Sequence, residues 1–136
     1  SITRGRGDAS EAVSRIMTFT GQSLGVPAGA VPLMRMSDSA REAAMPDDLA
    51  AAIAGAQSSD STQVGPRSAS LAGRAQGLAM IVGMGRVVVL GEAAMLSAQI
   101  LSFPDGSVVK AGMNVPGNDN RQFALNALHW LSGLID

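Results

Sequence analysis

At 136 residues the chain is long enough to bury one core, and its 46% hydrophobic content is ordinary for a globular protein. A net charge of −1, with nine arginines and one lysine scattered along the chain, excludes the clustered basic footprint of a nucleic-acid binder. The absence of Cys excludes disulfides, thiolate metal sites and a cysteine nucleophile, and leaves the cellular compartment undetermined. Aromatics make up only 3% of the chain, so Val, Leu, Ala and eight methionines must fill the interior. No apolar run approaches the roughly 20 residues of a membrane-spanning helix, and no signal-peptide pattern opens the chain.

The first eight residues are polar and glycine-rich and read as an extended arm. They contain Arg6-Gly7-Asp8, a match to the integrin-binding tripeptide that is too short to carry functional weight by itself. Arg15 to Leu24, with Ile16, Thr18, Phe19 and Thr20, reads as a strand, and Val26-Pro27-Ala28-Gly29 as a turn. Ala30 to Met36 is a second apolar run in which Pro32 fits an edge strand better than a central one. Pro46 to Ala54 reads as a short helix with Asp47 and Asp48 at its positive end, and 57–67 as a polar loop.

The chain is organised around Gln76 to Ala98. Two apolar runs, Leu78–Val82 and Val87–Leu90, flank Gly83-Met84-Gly85-Arg86, which predicts a buried hairpin over 77–91. Glu92 to Ile100 then predicts a helix, because it is rich in Ala, Met and Leu and has no internal breaker. Residues 102–117 hold several Gly and Pro and read as a loop with a short β segment at Val108-Val109. The last helix is predicted over 119–135, with Asn118 or Asp119 as cap and Gln122 completing a capping box. Along it Gln122, Asn126, His129 and Gly133 recur at steps of four, three and four, which predicts one narrow polar stripe on a largely buried helix. The fold class is therefore α/β or α+β, a small mixed sheet packed by about three helices in a single domain.

Chemistry-bearing residues are few. Glu92, at a strand-to-helix junction, is either a ligand-binding carboxylate or a first-turn acid stabilised by the helix dipole. Asn118, Asp119, Asn120 and Arg121 form the densest polar cluster, which could bind an anion or sugar hydroxyls, or could simply cap the helix. His129, the single His, lacks acids at helical spacing and is a poor metal ligand. Neither a phosphate-binding glycine loop nor a nucleophile elbow around Ser97 is present. No cofactor or metal is implied. Three readings stand: a non-catalytic assembly module, a small-molecule binder using Glu92, Asn118, Asp119, Arg121 and His129, and a hydrolase with Glu92 and His129 as acid–base groups.

The stretch Gly85-Arg86-Val87-Val88-Val89-Leu90-Gly91-Glu92, followed by Asn118 to Leu131, resembles the C-terminal half of class I glutamine-amidotransferase-like domains. The likeness is to the bacterial branch without glutaminase activity, where such a strand leads into a helix and an Asn-rich helix closes the domain. Glu92 stands where that branch usually has Asp, and Ile2-Thr3-Arg4-Gly5 looks like the segment that follows a His-Pro pair this chain lacks. The resemblance implies half of a flavodoxin-like layer structure without a catalytic triad. A half-domain leaves a sheet edge and an apolar helix face uncovered, so a homodimer, or docking to a missing N-terminal region, is the expected partnership.

Overall fold

The fold is described by a computed structural model covering residues 1–19, 21–43, 47 and 68–136. It is a small fold of α and β elements in which every described strand pairing is antiparallel. Its centre is a three-stranded sheet in the order β1 (Val31–Arg35), β4 (Ala75–Val82), β5 (Gly85–Leu90). Two further ribbons pair β2 (Arg41–Ala43) with β3 (Ser68–Ser70), and β6 (Ala98–Ser102) with β7 (Val108–Gly112). One described α-helix, α1 (Asn120–Leu131), packs against β5 and a 3₁₀ turn at Ala94–Leu96.

The β4–β5 hairpin forms where the two apolar runs predict it. Its register closes from Gly77↔Leu90 to Val82↔Gly85, leaving Gly83 and Met84 as a two-residue loop. Gly83 has φ +60° and no non-glycine residue among the described ones has positive φ, which is the primed-turn pattern matched to strand twist. Pro32 lies on β1, the edge strand, where its missing N–H costs no central ladder bond.

The core joins Ile2, Ala79, Met95, Phe123 and Ala127, with Val13, Ile16, Leu33, Met34, Val88, Leu90 and Trp130 packed around it. It therefore combines the N-terminal segment, the sheet face and α1. The C-terminal end of α1 closes as a Schellman turn: Leu134 N donates to the His129 carbonyl, Gly133 N to that of Trp130, and Gly133 takes φ +79°. Arg86 on β5 clamps this end, donating to the carbonyls of Trp130 (2.8 Å) and Ile135 (2.6 Å) while its guanidinium lies 5.3 Å from the Trp130 ring centre.

Several sequence expectations differ from what forms. The sheet expected to be mixed is antiparallel in all its described pairings, because β4–β5 and β6–β7 are joined by tight hairpins, whereas a parallel pair needs a long crossover. The helix expected over Glu92–Ile100 is a single 3₁₀ turn followed by β6. A nine-residue stretch is too short for helical propensity to hold alone, and its backbone finds better partners in β7. The 102–117 loop is shortened accordingly, since β7 runs well past Val108-Val109. Among its described residues, Arg15–Leu24 makes one bridge, Leu24↔Ala75, and otherwise runs without a ladder. The helix expected from Pro46 to Ala54 (Asp47 excepted) and the 57–67 loop lie outside the described residues.

The faces of α1 follow expectation only in part, since Phe123 and Ala127 are buried as predicted but other positions are not as predicted. Asn126, on the expected polar stripe, is 0% exposed, whereas Leu128 is 62% exposed and Leu125, Leu131 and Leu134 are also at the surface. The described helix is also shorter than the predicted 119–135 span.

Candidate functional site

The N-terminal segment explains most of the polar residues singled out in the sequence. Running without a β partner, its backbone N–H and C=O groups must find partners elsewhere when they approach the core. Side chains from α1 and from the end of β5 provide them. Asn126 Nδ2 donates to the carbonyls of Ile2 and Glu11, each at 2.8 Å, while its Oδ1 accepts from Gln122 Nε2. Asp119 Oδ2 accepts from Ser14 N, Ser14 Oγ and Arg15 N, all at 2.8 Å. Asn120 behaves like a strand partner for Met17: its Oδ1 accepts from Met17 N at 2.9 Å and its Nδ2 donates to Met17 O at 2.7 Å. The same Nδ2 donates to Met95 O.

Glu92 continues the series. Its Oε2 accepts from Phe19 N at 2.9 Å and its Oε1 from Met95 N at 3.0 Å, so one carboxylate closes the 3₁₀ turn and holds the N-terminal segment. Beside it Gln22 N donates to Gly91 O. A Cβ at Gly91 would collide with the Gln22 carbonyl, so only glycine permits the segment to lie this close. Farther along, Ser23 donates to the Glu42 carboxylate through N and Oγ, and Arg74 donates to Ser23 Oγ (2.6 Å) and O (2.9 Å).

The structure thus brings Glu92, Asn118 and Asp119 into one neighbourhood around Asn120, and each has an intramolecular partner there. Asn118 Oδ1 accepts from Asn120 N, and its Nδ2 donates to the carbonyls of Gly112 and Val115. Asp119 stands at the N-cap position without a side-chain capping bond, because its carboxylate is engaged by residues 14 and 15. Gln122 turns to Asn126 instead of completing a capping box. Arg121 is exposed and makes no side-chain hydrogen bond among the described residues. His129 shares no side-chain hydrogen bond with this group among the described residues and lies about 13 Å of helix rise from Asn120. No set of three or more His, Cys, Asp or Glu among the described residues could hold a metal ion.

The charged groups follow the same logic. The N–H groups of Arg15 and Ser14, with the Ser14 hydroxyl, hold the Asp119 carboxyl below its ordinary range. The Arg6 side chain, then its backbone N–H, lowers Glu11 in the same way, and Ser10 lowers Asp8. Both charged members of Arg6-Gly7-Asp8 are therefore engaged locally, Arg6 by Glu11 and Asp8 by Ser10, and the tripeptide is not displayed as a free extended loop.

What sequence reasoning missed are the interior roles of Asn120 and Asn126, both fully buried. The available signal was two amides embedded in the apolar run Asn120 to Leu131. It also missed an open cleft of about 330 Å³ between the sheet and the C-terminal part of α1. Its walls come from four separated chain segments, so no local pattern marks it. No protein-family model, curated protein or solved structure matches the chain.

Two outcomes follow. Asn120→Ala leaves Met95 C=O without its buried partner and Met17 N–H and C=O without their part-buried ones, so urea unfolding will show a loss of about 2 kcal/mol or more. For Asp119 the folded pKa is depressed, so its contribution is complete above the unfolded value near about 4 and is lost as pH falls through the lower folded value. The stability gap between wild type and Asp119→Ala, measured by urea unfolding from neutral pH downward, will therefore narrow below about pH 4. A constant gap would contradict the assignment.

Proposed function

We propose that the protein is a non-catalytic assembly module that associates with a second copy of itself through apolar surface. The observation that carries this reading is the β6–β7 hairpin. Every residue from Ala98 to Lys110 is exposed, although Ile100, Leu101, Phe103, Val108 and Val109 are large and apolar. A two-stranded ribbon with neither face packed is marginal in water on its own. Single exposed hydrophobes are ordinary, but grouped ones mark interaction surfaces. The leucines of α1 and the free edges of the ribbon add a second apolar element and pairing-competent backbone.

The chemistry of the polar residues supports the same reading. Glu92, Asn118, Asp119 and Asn120 are occupied in holding backbone, and no hydrogen bond among the described residues links Glu92 to His129. The resemblance to the non-glutaminase, bacterial amidotransferase-like half-domain points the same way, since that branch lacks the triad and a half-domain leaves surface to be covered. A small-molecule role for Glu92, Asn118, Asp119 and Arg121 would require these bonds to be exchanged for ligand contacts.

Light scattering across a dilution series tests the proposal. The wild type will behave as a dimer that dissociates on dilution, and Ile100→Lys and Leu128→Lys will each shift the transition to higher concentration. A monomer at every concentration, or variants indistinguishable from wild type, would overturn it.

A further inference from the structure

We infer that the cleft between the sheet and the end of α1 is a binding site for a small, uncharged, apolar molecule. It is lined by Ile2 and Thr3 from the N-terminal segment, Val31 from β1, Ala79 and Ile81 from β4, and Trp130 from α1, among others. Its volume of about 330 Å³ lies within the range of small-molecule sites. A dry apolar cavity of about 150 Å³ accommodates one benzene, so this cleft has room for a molecule of about twice that size.

Three features distinguish it from a chance depression. First, every wall is fixed before any ligand arrives. Ile2 O is held by Asn126, Thr3 O by Val13 N, the β1–β4 wall by the Val31↔Ala79 register, and the Trp130 turn by Arg86. Arg86 also stacks its guanidinium on the Trp130 ring, so the aromatic wall is oriented in advance, and pre-ordered walls reduce the entropic cost of binding. Second, Val31 is 62% exposed and Ile81 is 61% exposed, large apolar groups on the cleft wall that a ligand would remove from water. Third, no Asp, Glu, Lys or Arg is among the described lining residues, the Ser1 ammonium on the rim donates to the Gly5 carbonyl (3.3 Å), and the Arg86 guanidinium is already satisfied by two carbonyls and Asp136. A charged group entering the cleft would lose its hydration with no charged side chain on the described walls to meet it, which favours a neutral ligand. The Thr3 hydroxyl can serve one hydrogen-bonding end of such a molecule.

The test uses the full chain and its single tryptophan, which lines the cleft. Titration with 1-decanol will give a saturable shift in Trp130 emission. Decanoate, with the same chain and a charged end, will bind at least about tenfold more weakly. Val31→Glu and, as a second variant, Ile81→Glu will each weaken decanol binding at least about tenfold, with folding checked by circular dichroism. Asp38→Ala, in the exposed turn after β1, will leave it unchanged. An emission that does not saturate, equal affinity for decanoate, folded cleft variants that bind like wild type, or loss of binding in Asp38→Ala would each overturn the assignment. The titration runs on monomer or dimer alike, so its outcome is independent of the oligomeric state.

Discussion

The fold depends on how one stretch of irregular chain satisfies its backbone. Residues 2–19 reach the core without a strand to pair with, and unpaired N–H and C=O groups near the core would each cost about as much as a lost hydrogen bond. Asn126, Asp119, Asn120 and Glu92 solve this by acting as side-chain substitutes for a neighbouring strand. Asn120 shows it most directly, since its amide accepts from and donates to the same residue, Met17, as a strand neighbour would. With the segment held, Ile2, Val13 and Ile16 can join Phe123 and Met95 in the core.

This constraint orders other features that look unrelated. The helix must turn its amides inward to reach the segment, and in doing so it turns Leu125, Leu128 and Leu131 outward. Gly91 must lack a side chain because Gln22 lies against it. Glu92 must leave the helical conformation its sequence favours so that its carboxylate can serve Phe19 and Met95 together. Of the polar residues that a sequence reader would assign to chemistry, Glu92, Asn118 and Asp119 are thereby taken up by architecture, while Arg121 and His129 are not. The large surfaces left uncovered are apolar: the ribbon, the outer face of α1 and the cleft beside Trp130.

How much of this was legible in the sequence varies with how local the determinants are. The β4–β5 hairpin was, because two apolar runs around Gly83 specify both strands and turn within a dozen residues. Pro32 marked an edge strand because a missing donor is a local property. The stretch from Glu92 to Ile100 was not legible, since its strand conformation is set by pairing with Lys110, Ala111 and Gly112 and local propensity points to helix. The inward face of α1 was hidden for a related reason. Asn126 looks like a surface residue until the carbonyls of Ile2 and Glu11, more than a hundred residues away in sequence, are placed against it. The same distance hides the roles of Asp119 and Glu92, so a candidate polar site was visible as a cluster while its partners were not.

The most direct measurement is amide hydrogen exchange of the N-terminal segment at neutral pH. If side chains hold this segment as a strand would, the N–H groups of Arg15, Met17 and Phe19 will be protected to nearly the same degree as those of β4, even though they belong to no ladder. Exchange of all three at the rate of an unstructured chain, with β4 still protected, would contradict the account.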